Sequence, residues 1–184
     1  MANRKVIYEA CFEDYLRSAG VPYVAVDEAK KALFAGVRLK SFDFVVYSAA
    51  GDNLLVDVKG RRFPCGGAGG RPAADRARSR EGPKGGRRLE NWTTREDLES
   101  LARWEEVFGS GFAGLLAFCY HLAEPGAADE FEIVHAFRGE YYGLVGVYRR
   151  AYADAATTRS RAWDTVSVGT RTFRGLIRPI RAFF

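Results

Sequence analysis

Two aspartates and a lysine interrupt two apolar segments between residues 42 and 62 of this 184-residue chain, FDFVVYSAAGDNLLVDVKGRR. A charge buried in a strand is costly unless it is paired, bound to a metal or exposed at an edge. Carboxylates on adjacent strands suit a hard divalent cation, since magnesium takes one or two of them beside water and phosphate. A neighbouring lysine can orient or help deprotonate a water molecule and can screen charge building on phosphorus. Asp43, Asp57 and Lys59 therefore have the chemistry of phosphodiester hydrolysis.

The spacing of these residues predicts which of them lie together. Side chains alternate across a strand, so Asp57 and Lys59 project from the same face, about 6.7 Å apart along the chain. Pairing Ser48 with Leu54 across a five-residue loop places Asp43 opposite Lys59, and all three charges then share one face of a hairpin. A loop one residue shorter would scatter them to opposite faces.

The elements that position these residues are predicted from apolar periodicity. They are a helix at 4–19, strands at 21–26, 37–48 and 54–60, a helix at 93–108, and strands at 112–122 and 130–137. The first helix places Glu9 at the margin of its buried face. The second begins with a capping box, formed by Thr93 with Glu96 or by Thr94 with Asp97. Beyond residue 137 the sequence mixes a possible amphipathic helix with short strands, and its assignment is open.

Length, composition and element order predict the class of fold. A chain of 184 residues suits one domain, and 47% hydrophobic content is enough for a packed core. The order helix, strands, helix, strands predicts an α/β (α+β) fold in which helices flank a mixed central sheet. Three widely separated cysteines form neither a disulfide framework nor a zinc motif. Without a signal-like start or a long uncharged run, we expect a soluble, cytoplasmic protein, nucleoid-associated if it acts on DNA.

Positive charge concentrates in one segment rich in Gly, Pro and Arg. Residues 61–90 contain nine basic and three acidic residues, a net charge of +6, so the remainder sums to −1 against the chain's +5. We expect a mobile loop at about 61–91 that contacts a phosphate backbone. The predicted nucleic-acid contacts are Arg61, Arg62, Arg71, Arg87, Arg88 and, on the second helix, Arg95. The alternative is a solvated insertion without a ligand.

Two tryptophans also allow two interpretations. Trp92 and Trp104 could stack on bases, but aromatic residues beside Leu98 and Leu101 of a helix are more often part of a core. The acid-x-lysine triplet has its own simpler alternative, an ordinary surface pair that contributes about 0–1 kcal/mol.

The conjunction of motifs resembles the PD-(D/E)XK nuclease superfamily. An acid on the first helix, an aspartate, and then D-x-K on the next strand match Glu9, Asp43 and Asp57-Val58-Lys59, although Phe42 stands where the superfamily pattern has proline. The resemblance implies a restriction-endonuclease-like fold, with a first helix beside a hairpin of a mixed sheet, then a second helix and two further strands. It also implies that Asp43 and Asp57 hold Mg²⁺ or Mn²⁺, that Glu9 binds the metal directly or through water, and that Lys59 positions the attacking water.

The expected function follows from this resemblance. We expect a divalent-metal-dependent nuclease acting on DNA rather than RNA, as an endonuclease or on branched structures, and as a possible homodimer. Two alternatives stay open: a non-catalytic nucleic-acid-binding domain of the same fold, and an interaction module that recruits an acidic partner through the basic loop. Salt dependence of binding separates phosphate contacts from other contacts.

Overall fold

The chain folds around a mixed sheet of seven strands, in a computed structural model that describes residues 4–26, 32–34, 37–49, 51–63, 88–124 and 126–184. The helices are α1 (Arg4–Ser18), α2 (Arg95–Phe108), α3 (Arg149–Ala155) and α4 (Thr170–Leu176), with 3-10 turns at Ala128–Glu130 and Ile180–Phe183. The strands are β1 (Tyr23–Ala25), β2 (Ala32–Phe34), β3 (Val37–Leu39), β4 (Phe44–Val46), β5 (Asn53–Phe63), β6 (Thr93–Thr94), β7 (Phe112–Leu122), β8 (Val134–Phe137), β9 (Glu140–Tyr148), β10 (Thr157–Ser160), β11 (Thr165–Ser167) and β12 (Arg178–Pro179).

The strand order of the main sheet is β1-β4-β5-β7-β9-β12, and β8 also pairs with β9. Only the central pair β5–β7 is parallel within this sheet. A parallel pair needs a crossover, and α2 lies in the connection between these two strands. The predicted mixed sheet flanked by helices is confirmed. So is the element order that the resemblance implies: a first helix, a hairpin, a second helix and further strands.

Each face of the sheet carries its own hydrophobic core. On one face Phe12 and Leu16 of α1 pack with Val56 and Val58 of β5. On the other face Leu98 and Leu101 of α2 pack with alternate residues of the same strand and of β7, including Leu55, Phe63, Leu116 and Phe118. The near-continuous apolar sequence of β7 matches this burial on both faces, as predicted. Among the described helices, none is long and apolar enough to cross a membrane.

The predicted register of the β4–β5 hairpin is wrong. Leu54 pairs with Val46 rather than with Ser48, so the connection is longer than the five residues assumed. The Asn53 side chain accepts a hydrogen bond from the Ser48 backbone N–H at 3.3 Å. This bond joins the two ends of the connection, so the backbone ladder of the two strands begins only at Val46 and Leu54. The shift is two residues, an even number, so it preserves which side chains share a face.

Other boundaries differ from the prediction as well. The expected strand at 37–48 is two strands, since β3 pairs with β2 and β4 pairs with β5. The expected strand at 130–137 is shorter, because its first residue closes a 3-10 turn. Strand β5 continues to Phe63, so residues 61–63 are not loop, and residues 64–87 of the predicted loop lie outside the described residues. Strand β9, which pairs with β7, was not predicted.

Candidate active site

Asp43 lies in the bend that precedes β4, and two hydrogen bonds hold it beside β5. Its backbone N–H donates to the carbonyl oxygen of Val56 at 2.8 Å, and its carboxylate accepts from the backbone N–H of Val58 at 2.6 Å. These partners are the two neighbours of Asp57 in the chain. Asp43 is thereby held next to Asp57 across the hairpin. Its carboxylate is buried, and a buried carboxylate needs a hydrogen-bond donor such as the Val58 N–H.

Asp57 and Lys59 share the face of β5 that α2 covers. They alternate with Val58, which packs against α1 on the other face. The Lys59 ammonium lies 2.5 Å from an Asp57 carboxylate oxygen, and the two side chains are 12% and 14% exposed. The predicted common face of this pair is confirmed, and the alternative of a solvated surface pair does not fit its burial.

A third charged residue, Asp97, completes this cluster from α2. Its carboxylate accepts from Lys59 Nζ at 2.7 Å and from the Thr93 hydroxyl at 2.8 Å. Thr94 is the N-cap of α2 and forms a capping box with Asp97. Of the two predicted capping boxes, the one formed by Thr94 and Asp97 is therefore confirmed, and the one formed by Thr93 and Glu96 is wrong. The cap was predictable because the capping signal is local, whereas the contact of Asp97 with Lys59 spans 38 residues and leaves no local signal.

Lys40 closes the cluster on the outer side. Its ammonium contacts the carboxylate of Asp97, and its backbone N–H donates to the Ser100 hydroxyl at 3.3 Å. Trp104 of α2 donates its indole N–H to the Lys40 carbonyl oxygen at 2.9 Å and packs edge-on against Phe42. Trp104 is therefore a structural residue here, in line with the core interpretation of its sequence.

A small pocket opens between these groups. Its volume of about 10 Å³ corresponds to roughly one water molecule. The lining residues are Lys40, Ser41, Phe42, Asp57, Asp97, Ser100, Leu101 and Trp104. The pocket therefore brings two carboxylates and an ammonium to one point that a small polar ligand can reach.

The charges of the cluster set each other's protonation. Burial raises the pKa of the Asp57 carboxyl. The positive charge of Lys59 acts to lower this pKa but does not outweigh burial, and the negative charge of Asp97 adds to the rise. Burial acts to raise the pKa of Asp97 too, but Lys59 and Lys40 outweigh it and hold that pKa well below its usual range. Burial acts to lower the pKa of Lys59, but its two carboxylate partners outweigh burial, so the net shift is upward. Lys59 is accordingly an ammonium at neutral pH.

Glu9 occupies α1, which packs on the sheet face opposite to Asp57 and Lys59. Its neighbour Tyr8 lies directly over Gly60 of β5, so this part of α1 is close to the strand that carries the cluster. Within the described residues, no three His, Cys, Asp or Glu side chains form a group that could hold a metal ion. The structure therefore does not bring Glu9, Asp43 and Asp57 together as three ready ligands, and the role of Glu9 stays a prediction.

The donor chemistry nevertheless fits a divalent cation. Asp43, Asp57 and Asp97 offer only oxygen ligands, which magnesium prefers, and magnesium needs just one or two of them. With all four groups ionised, the carboxylates of Asp57 and Asp97 balance the ammonium groups of Lys40 and Lys59, and Asp43 lies beside them in the bend before the neighbouring strand.

The predicted nucleic-acid contacts lie in different environments. Arg61 donates to the carbonyl oxygens of Gly60, at 2.7 Å, and Trp92, and its guanidinium lies 4.1 Å from the centre of the Trp92 ring. Arg62 and Arg88 are exposed. Arg71 and Arg87 lie outside the described residues.

Arg95 begins α2 and is turned towards the β10–β11 hairpin. It donates to the Thr158 hydroxyl at 2.6 Å and lies 3.1 Å from the Asp164 carboxylate. Its side chain is about half exposed. Arg95 therefore joins two elements of the structure, whatever ligand it also contacts.

Comparisons with known proteins add a likeness of fold to this description. No protein-family model matches the sequence, and no curated protein matches it. Among solved structures, the chain is similar to Hjc, a Holliday junction resolvase from the archaeal hyperthermophile Archaeoglobus fulgidus. The TM-score is 0.47 and the identity 10%, over 92% of this chain and 91% of that chain. A likeness at this identity and TM-score is not an argument for an activity.

Proposed function

We propose that the chain is a divalent-metal-dependent nuclease that hydrolyses phosphodiester bonds in DNA. The observation that carries the proposal is the contact of one buried ammonium, Lys59, with the carboxylates of Asp57 and Asp97, beside Asp43 on the adjoining strand. A buried cluster of this kind is costly as a mere stabilising device, since ion pairs removed from water rarely repay their desolvation. Perturbed, clustered ionisable groups that line a pocket are instead typical of functional sites.

The roles of the residues follow from their charge states. Asp43 and Asp57 are the proposed metal ligands, with Glu9 reaching the metal directly or through water. A bound Mg²⁺ or Mn²⁺ supplies Lewis acidity to the phosphodiester. Because its two carboxylate partners keep Lys59 protonated, Lys59 acts by orienting the attacking water and screening phosphate charge, not by deprotonation. Asp97 positions Lys59 for that task.

DNA as the substrate is part of the same proposal. Two exposed arginines, Arg62 on β5 and Arg88 before β6, supply charge for a phosphate backbone. We also propose a homodimer, since cutting both strands of a duplex uses two sites. The preferred substrates are duplex and branched DNA cut internally.

Cleavage of plasmid and branched DNA with Mg²⁺ or Mn²⁺ tests this function. Asp57→Asn and Lys59→Met should each lower the cleavage rate at least a hundredfold, because each removes a group that acts on the reacting phosphate. Glu96→Gln is the matched control, since Glu96 is exposed on the same turn of α2 and should cleave as the unmodified protein does. Cleavage that survives both site substitutions would overturn the assignment.

A non-catalytic nucleic-acid-binding domain is the second candidate. It is favoured by the finding that, among the described residues, three metal-ligating side chains are not grouped together. This candidate predicts binding with a steep salt dependence and no cleavage by any variant under any metal. Isothermal titration with Mn²⁺ distinguishes the nuclease from the non-catalytic binding domain. Only the nuclease should bind the metal, and its Asp57→Asn variant should no longer bind it.

A further inference from the structure

An aromatic side chain at the tip of the β10–β11 hairpin is left in solvent. Trp163 is 80% exposed, more than any other large hydrophobic side chain among the described residues. It lies in the turn 161–164 between the two strands, next to Asp164, whose φ of 43° falls in the left-handed region. An indole left in water adds nothing to the core and is available for contact with a ligand.

The backbone that carries Trp163 is nevertheless held firmly. Arg95 donates its backbone N–H to the Asp164 carbonyl oxygen at 3.0 Å, in addition to the ion pair between the two side chains. The Trp163 backbone N–H lies 3.3 Å from the Ser160 hydroxyl oxygen that accepts it. Val166 anchors the following strand in the core. An exposed ring on a fixed backbone is pre-organised for a ligand, because binding loses little conformational entropy.

The hairpin is coupled to the candidate active site through β6. Thr94 pairs with Thr165, two residues after Trp163, and the same Thr94 caps the helix whose Asp97 contacts Lys59. A second connection runs through Trp92, whose ring centre lies 4.1 Å from the guanidinium of Arg61 and 5.3 Å from that of Arg159. The hairpin therefore adjoins the site rather than a remote surface.

The charge around Trp163 identifies the kind of partner. Residues 157–184 contain six arginines and one acidic residue, a net charge of +5. Positive charge is therefore concentrated in this segment as well as in residues 61–90. Three of these arginines pair with carboxylates: Arg174 with Glu130, Arg181 with Glu132 and, at 3.9 Å, the half-exposed Arg159 with Glu90. On the hairpin itself, the exposed Arg159 and Arg161 precede Trp163. An exposed aromatic ring among arginines suits a strand that offers both base faces and phosphates.

We propose that the β10–β11 hairpin binds a nucleic-acid strand by stacking Trp163 on an unpaired base, while Arg159 and Arg161 contact the flanking phosphates. The base must be unpaired because both faces of a base inside a duplex are already covered by its neighbours. This inference rests on the proposed nucleic-acid substrate and narrows it to DNA with a single-stranded or branched region. It does not depend on catalysis.

Binding without divalent metal tests the proposal separately from the nuclease activity. Fluorescence anisotropy in EDTA would compare a labelled single-stranded oligonucleotide with its duplex, for the unmodified protein and for Trp163→Ala. We expect Trp163→Ala to weaken binding to the single strand about tenfold or more and to change duplex binding little. Trp163→Phe should restore most of the affinity. Tyr141→Ala, at another exposed aromatic residue (59% exposed), is the matched control and should bind normally.

Each further outcome decides for or against the hairpin. Arg161→Gln should lower the slope of log affinity against log salt by about 0.7 for the single strand. Equal loss of single-strand and duplex binding in Trp163→Ala would overturn base stacking. A change of oligomeric state in Trp163→Ala, measured by sedimentation, with unchanged DNA binding would assign the ring to a contact between copies of the chain. If the protein cleaves no DNA but still binds the single strand through Trp163, the proposed nuclease activity is refuted and the proposed base stacking is supported.

Discussion

Lys59 of β5 lies 2.7 Å from the carboxylate of Asp97, which occupies the first turn of α2. The contact ties the strand that carries the acid-x-lysine motif to the helix that crosses over it. Because of this contact, the Lys59 ammonium is shared between two carboxylates, those of Asp57 and Asp97, and does not pair with Asp57 alone. Asp97 and Asp57 together therefore fix the position of the Lys59 ammonium.

Replacing Asp97 should affect both stability and turnover. Asp97→Ala leaves Lys59 with Asp57 alone and removes the acceptor of Lys40, of the Thr93 hydroxyl and of the Thr94 backbone N–H, so we expect a loss of about 3–5 kcal/mol in unfolding free energy. Asp97→Asn keeps the shape and loses the charge, and we expect a smaller loss of stability. In cleavage assays Asp97→Asn should lower kcat while leaving KM nearly unchanged, since Lys59 is displaced from the reacting water but the DNA contacts are not. Urea denaturation and steady-state kinetics measure the two effects.

Asp97→Glu is the informative companion variant. It restores the carboxylate at a slightly different reach and should recover part of the kcat. Were kcat equally low in Asp97→Asn and Asp97→Glu, and both proteins equally unstable, the role of Asp97 would be structural only.

Two adjacent arginines on β5 should behave differently. Arg61 is directed inward to backbone carbonyls and the Trp92 ring, whereas Arg62 is exposed. We expect Arg61→Ala to lower the unfolding free energy by about 1–3 kcal/mol, because it leaves acceptors without donors. We expect Arg62→Ala to keep its stability and to reduce the salt slope of DNA binding by about one. Thermal unfolding and anisotropy at several salt concentrations provide the comparison, and a reversed pattern would contradict it.

The site could be predicted in part from local pattern. Alternation along a strand was sufficient to put Asp57 and Lys59 on one face, and the capping box marked the start of α2 beside Asp97. The partners of Lys59 on other elements were not predictable, because tertiary contacts over tens of residues leave no local periodicity. Lys40 illustrates this, since it reaches Asp97 from a segment that the sequence placed inside a single strand.

The fold was predicted best where apolar runs are long. Strand β7 has the predicted bounds, since its residues are buried on both faces. Strand β9 was missed because GEYYGLVGVY contains glycines, which weaken the strand signal. The structure explains Gly143: a side chain there would collide with the ring of Phe131. Glycines required by close packing thus concealed a central strand.

The docking of α1 on the sheet depends on a glycine in β5. A Cβ atom at Gly60 would lie 1.9 Å from the Tyr8 ring, so the ring or the helix has to move. We expect Gly60→Ala to lower the unfolding free energy by about 1–3 kcal/mol. It should also lower cleavage, because α1 carries Glu9 next to Tyr8.

Two further variants test this explanation. Gly51→Ala is the control, since no heavy atom lies within 4 Å of a Cβ built there, and its stability should change little. Adding Tyr8→Ala to Gly60→Ala removes the collision, so the two substitutions together should cost less than the sum of their separate effects. Strict additivity would show that Gly60 matters for another reason.

Alkaline pH should destabilise the protein through its buried tyrosines. Burial raises the pKa of Tyr142 to about 12, against about 10 in an unfolded chain. The folded state therefore holds the phenol proton more tightly, and stability falls as the pH rises above about 10 towards 12. We expect the Tyr142 share of this loss to reach about 1 kcal/mol near pH 11. Unfolding free energies from urea denaturation between pH 9 and 11, with tyrosinate absorbance recorded in parallel, measure this loss.

The variant Tyr142→Phe tests the assignment to this residue. It should flatten the pH dependence without abolishing it, because burial also raises the pKa of Tyr120 and Tyr152. An unchanged slope in this variant would show that Tyr142 ionises as easily in the folded protein as in the unfolded chain.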